Sequence, residues 1–261
     1  MEHIESKDNL LIKDIRKLKE KKYRKDSKMF LVEGFRFTEE ALDSDFEVVQ
    51  IFISARGEVK YENSLVKSKL QKNTKVYSIS DSLFKSICDT ESPQGIIATV
   101  RNKSSKIKYD GGFYILADKI QDPGNMGTII RTAHAAGAMG VIITKGTVDI
   151  YNEKTLRATM GSIFKIPIIY DKDLALVQKL RDNGFKLVTS SLDCDKNFYD
   201  IDLKGNVIIS VGNEGNGISE EVYDISDLKI KIPMPGGAES LNAAVAASIM
   251  MYEVVRQKNN S

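Results

Sequence analysis

The sequence predicts an α/β protein in two parts, each a sheet layered with helices. Short apolar runs bounded by turn residues alternate with helical stretches along nearly the whole chain. Runs such as VIIT (141–144) and VIISV (207–211) are continuously apolar, as strands buried on both faces of a parallel sheet are. A polar, charged, glycine-ended stretch, RNKSSKIKYDGG (101–112), separates two apolar runs and is the best site for a boundary.

In the first part a basic helix is expected over roughly 8–25. MFLVEG then reads as a strand, FRFTEEAL as a helix, EVVQIFIS as a strand and YENSLVKSKLQK as a helix. KVYSIS is a strand, DSLFKSIC a helix and GIIATV a closing strand. The second part alternates again. FYILAD is a strand, NMGTIIRTAHAAGA a helix, VIITKG a strand, EKTLRATMG a helix and IPIIY a strand. DLALVQKLRDNG is a helix, KLVTSS and VIISVG are strands, SEEVYDI a short helix and LKIKIPM a strand. ESLNAAVAASIMMYEVVRQ is a long final helix.

The chain has 261 residues, 42% apolar and 28% charged, a globular mix that suggests one large domain or two ordinary ones. No apolar run is long enough to cross a membrane, and the first residues lack the apolar core of a signal peptide. Cys88 and Cys194 belong to no metal-ligand pattern and are expected to be reduced thiols of a cytoplasmic protein without a metal. The net charge of +2 hides an asymmetry. Residues 1–109 hold 22 Lys/Arg against 17 Asp/Glu, and the remainder holds 16 against 19. Residues 13–28 carry nine basic and three acidic side chains around Tyr23. Lys13, Arg16, Lys17, Lys21, Lys22, Arg24 and Lys25, with Arg36 beyond them, are candidates to contact RNA phosphate. A solvated helix face is the alternative.

Three stretches do not read as scaffolding. DPGNMGTIIRTAHAAGA (122–138) follows a strand, with Asn125 suited to cap the helix and Arg131 its only formal charge. VIISVGNEGNGIS (207–219) places Glu214 inside a glycine-rich loop. A loop that cradles phosphate directs N–H groups at an anion, and a carboxylate there would repel it. IPMPGGAESLNAAVAAS (232–248) ends a strand at two prolines. Glu239 or Ser240 is placed to cap the small-residue helix that follows, with Asn242 in its first turn. No dinucleotide or ATP fingerprint, Ser-His-Asp grouping or metal-ligand set accompanies these loops. Chemistry that brings its own activated electrophile fits them better than strong acid–base chemistry.

NMGTIIRTA, VGNEGNGIS and IPMPGGAESLNAAVA, in this order, resemble the SpoU (TrmH-type) RNA 2′-O-methyltransferases of the SPOUT superfamily, over about 110–258. VEGFRFTEEAL and TESPQGIIATV are similar to that family's L30e/L7Ae-like N-terminal extension. The resemblance implies two α/β domains. Residues 1–104 would form an L30e-like domain that binds substrate RNA, and 110–261 a parallel-sheet methyltransferase domain with a deep trefoil knot. A homodimer through the knotted domain is implied too.

The cofactor so implied is S-adenosylmethionine, held by Gly212, Ile232 and Leu241, with Met234 and the loop residues Asn213 and Gly215, and with Thr189 and the strand end beside it. The resemblance assigns Arg131, Asn125, Glu214, Ser240 and Asn242 to the reaction centre. Arg131 could serve as a base or as a clamp on the adjacent phosphate, and a guanidinium that stays protonated suits the second role. Ala243 and Ala244 replace the small or β-branched residues, with a further hydroxyl, frequent in the family at this point. Ribosomal RNA, 23S above all, is the substrate expected. Transfer RNA and a non-catalytic role in ribosome assembly are the alternatives. A nucleotide-dependent oxidoreductase would need the fingerprint that is missing.

Overall fold

The computed structural model describes residues 1–109, 111–191, 194 and 196–259. Asp110, at the expected start of the second domain, and residues 260–261 at its end lie outside them. The chain divides into two compact units. One comprises Met1–Lys103 with Tyr151–Phe164, and the other Ser104–Ile150 with Lys165–Ser261.

The first unit runs β1 (Glu2–Ile4), α1 (Leu10–Lys17), α2 (Lys21–Ser27), β2 (Met29–Glu33), α3 (Phe35–Leu42) and β3 (Glu47–Ser54). Next come α4 (Glu58–Glu62), α5 (Leu65–Ser68), β4 (Lys75–Ile79), α6 (Asp81–Ile87) and β5 (Ile96–Arg101). Its sheet has the order β1-β4-β3-β5-β2. β1, β4 and β3 run parallel, while β5 is antiparallel to both β3 and β2. The single basic helix expected over 8–25 is two helices. Arg24 reaches back from α2 to donate to the main-chain oxygens of Leu18 and Lys19, both at 2.7 Å. This satisfies carbonyls that the end of α1 leaves without partners. Ile12 and Ile15 of α1 are buried against Phe84 and Ile87 of α6 in one cluster.

The second unit contains β6 (Phe113–Ala117), α7 (Pro123–Ala135) and β7 (Gly140–Thr144). α8 (Glu153–Thr159) follows in sequence but packs in the first unit. The second unit resumes with β8 (Ile168–Asp171), α9 (Ala175–Asp182), β9 (Lys186–Ser190) and β10 (Val207–Val211). α10 (Glu220–Asp224), β11 (Leu228–Ile230) and α11 (Ala243–Asn259) complete it. The sheet has the order β11-β9-β10-β6-β7-β8, and every pairing is parallel. All five residues of β6, β7 and β10 are buried, as a sheet covered on both faces requires. Tyr114, Leu116, Ile142 and Ile208 meet Val177 and Leu180 of α9 in one cluster. α11 packs on α7 and β10 with Ala243, Ala244 and Ala247 buried, since short side chains let the backbones approach closely.

Residues 151–164 return to the first unit for an apolar reason. Tyr151 stacks on Phe30 with ring centres 4.4 Å apart, and Phe164 lies 5.3 Å from both Phe37 and Phe46. A boundary drawn after residue 104 leaves this segment out of the first unit.

Two helix starts differ from expectation. α7 is capped by Asp122, whose Oδ1 accepts from Asn125 N–H at 2.8 Å, with Pro123 in the first turn. Proline is favoured there because its missing N–H has no partner to lose. α11 starts at Ala243, and Asn242 rather than Glu239 or Ser240 supplies the capping oxygen to the N–H groups of Ala244 and Val245.

Candidate functional site

β6 and β10 are neighbours at the point where the strand order reverses, the position where open α/β sheets bind ligands. The loops after these strands are joined by Glu214. Its carboxylate accepts from the N–H groups of Gln121 and Asp122, both at 3.2 Å, and from Asn125 Nδ2 at 2.9 Å. Partial burial raises the Glu214 pKa, but these donors and its own N–H outweigh burial and hold it below the usual glutamate range. The loop itself turns tightly. Asn213 and Gly217 exchange both main-chain hydrogen bonds, and Gly217 has φ +68. Gly212 admits no side chain, because a Cβ there would lie 2.2–2.3 Å from main-chain atoms of Gly217 and Ile218.

Asn242 Nδ2 donates to Asn125 Oδ1 at 2.9 Å, so Glu214, Asn125 and Asn242 form one chain of hydrogen bonds. The chain links all three stretches that the sequence singles out.

A cavity of about 680 Å³ opens beside this chain, within the usual range of a small-molecule site. The β10 loop lines it with Gly212, Asn213, Glu214 and Gly215. The segment after β11 adds Ile232, Met234, Ser240, Leu241 and Asn242. These nine were all singled out from the sequence. Ser190 and Ser191 lie at the strand end beside Thr189 that the sequence pointed to, whereas Tyr223 of α10 and Glu239 were missed as lining residues. Tyr223 was legible only as part of a short helix, with no signal aiming it at a site.

Thr189 does not line the cavity: it is fully buried, and its hydroxyl is engaged by those of Ser210 and Ser226. Ser190 and Ser191, next along the chain, do line it.

Arg131 stands apart from the cavity lining. It is exposed on α7, six residues beyond Asn125, which is about 9 Å along a helix axis. Among the described residues its side chain makes no hydrogen bond or ion pair. The lining contains Glu214 and Glu239 and no Lys or Arg among the described residues, so the cavity suits a neutral or cationic ligand better than a phosphate. No group of three or more His, Cys, Asp or Glu among the described residues could hold a metal ion, and no described helix is long and apolar enough to cross a membrane.

The candidate RNA-contacting residues of the first unit fall into two sets. Lys13 pairs with Asp8, Lys17 with Asp14 and Arg36 with Glu40. Arg16 donates to Ser86 Oγ, and Arg24 is spent on the α1 carbonyls. Lys21, Lys22 and Lys25 of α2 are exposed and have no ion-pair partner among the described residues.

A model of the SpoU rRNA methylase family matches residues 112–252, and a model of an MRM3-like substrate binding domain matches residues 9–98. The 23S rRNA (guanosine(2553)-2′-O)-methyltransferase RlmP of Bacillus subtilis is 36% identical over 254 residues, which are 97% of this chain and 99% of the relative. An AdoMet-bound rRNA methyltransferase from Sinorhizobium meliloti superposes with TM-score 0.88 at 32% identity, covering 98% of this chain and 97% of that one. The SpoU methyltransferase AviRb from Streptomyces viridochromogenes, in complex with AdoMet, gives TM-score 0.88 at 27% identity, covering 97% and 99%. A parallel sheet with a cavity at the carboxyl ends of β9 and β10, matched nearly end to end by such structures, defines the class as an α/β methyltransferase. Within that class the chain belongs to the SpoU rRNA methylase family.

Proposed function

We propose that the protein transfers a methyl group from S-adenosylmethionine to a ribose 2′-hydroxyl of 23S ribosomal RNA, as a cytoplasmic homodimer. The observation that carries this is the cavity. It is roomy, lined by apolar and neutral polar groups with two carboxylates, and walled by the loop of the VGNEGNGIS motif. The full-length similarity to a 23S rRNA 2′-O-methyltransferase supports the choice of substrate.

Gly212, Asn213, Gly215, Ile232, Met234 and Leu241 would hold the cofactor. When bound, S-adenosylmethionine supplies a methyl group on a positively charged sulfur and departs as a neutral thioether, so no residue has to protonate a leaving group. The residues have to orient the ribose and favour its alkoxide character, and the 2′-hydroxyl proton leaves to solvent water. Asn125 and Asn242 are held by Glu214 in fixed orientations, and Ser240 offers a hydroxyl at the cavity wall. Arg131 keeps its proton, since guanidinium pKa values lie above about 12. It would clamp the neighbouring phosphate and stabilise charge developing on the 2′-oxygen.

The first unit is read as an L30e-like domain that holds the RNA, with Lys21, Lys22 and Lys25 free to meet phosphate. This reading is supported by the substrate-binding-domain match. The segment after β11 is read as the part of the chain that forms a trefoil knot around the cofactor. Exposed Val245 and Tyr252 on α11 support self-association through that helix.

The test is methyl transfer from labelled S-adenosylmethionine to 23S rRNA taken from cells lacking the protein, with the 2′-O-methyl position mapped. One new modified ribose in 23S rRNA is expected. Label entering transfer RNA alone, or no label in any RNA, would overturn the assignment.

A further inference from the structure

The loop that carries Glu214 is held from its far side by a residue that belongs to none of the three motifs. Asp118 follows β6 and is fully buried. Its N–H donates to Val211 O at 2.8 Å, extending the pairing of β6 with β10 by one residue. Its Oδ1 accepts from Thr144 Oγ1 at 2.8 Å, at the end of β7. Its Oδ2 accepts from the N–H of Ser219 at 2.7 Å, where the β10 loop enters α10. Thr144 Oγ1 in turn accepts from Lys119 N–H at 3.0 Å. A carboxylate is an acceptor-only group, which is what two inward-facing donors require. Asp118, Lys119, Thr144 and Ser219 do not line the cavity; of the residues in this network only Val211 does.

The consequence passes through Lys119. It adopts φ +53, a left-handed conformation that non-glycine residues avoid. In that conformation its carbonyl accepts from Asn213 Nδ2 at 2.9 Å. Asn213 Oδ1 then accepts from the N–H groups of Gly215 and Asn216, both at 3.0 Å, setting the turn that presents Glu214. The Asp118 carboxylate thus secures the exit of the loop directly, at Ser219. It secures the entry indirectly, through Thr144, Lys119 and Asn213.

We propose that Asp118 is a positioning residue for the methyltransferase reaction. Together with Thr144 it preforms the 212–219 loop, so that Glu214 reaches Asn125 and the cavity wall is set before cofactor arrives. This rests on the reading that the cavity holds S-adenosylmethionine. A carboxylate serving only to stabilise the core would lower the melting temperature when removed but leave the folded protein's loop and cofactor affinity unchanged.

The test compares full-length wild type with Asp118→Ala, Asp118→Asn and Thr144→Val. Amide exchange of residues 212–219 is measured without cofactor, well below each melting temperature. The Kd for S-adenosylmethionine is measured by calorimetry. Asp118→Ala is expected to speed exchange in the loop at least tenfold and to raise the Kd at least tenfold. Asp118→Asn should recover part of both, because its oxygen can accept from Ser219 while its NH₂ donates to Thr144. Thr144→Val should move both in the same direction by less, and it decides the matter if Asp118→Ala does not fold. Wild-type exchange and affinity in a folded Asp118→Ala protein, or in Thr144→Val where the alanine variant does not fold, would overturn the proposal. Failure of the wild type to bind S-adenosylmethionine would instead overturn the functional reading, and the exchange data would still decide whether Asp118 shapes the loop.

Discussion

Asn125 donates from Nδ2 to the Glu214 carboxylate at 2.9 Å, across 89 residues of sequence. The orientation of the Asn125 amide follows from its surroundings. Asn242 uses its oxygen to cap α11, so only its NH₂ remains to meet Asn125. Asn125 must then turn its own oxygen toward Asn242 and its NH₂ toward Glu214, which can only accept. One carboxylate therefore sets the direction of two amides.

Replacing Glu214 by glutamine tests this polarity. One side-chain oxygen would survive, but an NH₂ would face the N–H of Gln121 or the NH₂ of Asn125. Methyl transfer is expected to fall about 10- to 100-fold, less than the roughly 100- to 1,000-fold lost with a donor that touches the transition state itself. The wild-type loop should also carry an acid limit. A carboxyl group held below its unfolded pKa contributes stability above the unfolded value, and this is lost as pH falls through the lower folded value. Amide exchange at Gln121 and Asp122 should accelerate in that acid window in wild type. In the glutamine variant it should be independent of pH apart from the intrinsic exchange chemistry.

Gly212→Ala introduces a methyl group 2.2–2.3 Å from the backbone of Gly217 and Ile218. No side chain can move aside to accommodate it, because the obstacle is main chain. Loss of S-adenosylmethionine binding by at least a hundredfold is expected in calorimetry, with a lowered melting temperature. A variant that binds as wild type would show that the loop opens more readily than its close packing implies.

Much of this architecture is legible in the sequence where local pattern decides. EVVQIFIS becomes a strand over the same eight residues, Glu47–Ser54, and the fully apolar VIISV becomes a central strand. The loops that wall the cavity were legible because their glycines and prolines sit at strand ends, and the family resemblance supplied the individual residues within them. Other features depend on partners distant in the chain. A dense charge run has no apolar period to mark the break between α1 and α2, which is set by Arg24 folding back on two carbonyls. Asp122 and Asn125 are both cap-forming residue types, and only Pro123 between them marks Asp122 as the cap. Asp118 gave no signal, since its partners lie 26 and 101 residues away.

The basic segment separates into two testable roles. Lys21, Lys22 and Lys25 on α2 have no ion-pair partner among the described residues, whereas Arg24 bonds the end of α1. Changing the three lysines to glutamine should reduce the slope of log K for RNA against log salt by about 2, at roughly 0.7 per phosphate contact on single strands. The melting temperature should hardly change. Arg24→Gln should do the reverse, costing about 1–3 kcal/mol of stability through charge-assisted bonds to carbonyls, with little change in slope. An unchanged slope in the triple variant would return α2 to the status of a solvated face.

The first unit also has a titration of its own. Glu153 of α8 lies beside Asp89, with Arg157 of its own helix paired to it. Burial first, and then the neighbouring Asp89 carboxylate, push the Glu153 pKa up to about 7. Burial also opposes charge on Asp89, but hydrogen bonds from Glu153 and Lys19 outweigh it and hold Asp89 below its usual range. A carboxyl group whose folded pKa is raised contributes stability in full below its unfolded value, about 4.3, and loses it as pH rises through the folded value. The stability of the unit that holds residues 151–164 should accordingly decline between about pH 5 and 8. Glu153→Gln keeps a donor facing Asp89 and removes the titration. Unfolding midpoints measured across this range should fall for wild type and stay level for the variant. Parallel curves for the two proteins would show that Glu153 is already ionised at the lower pH.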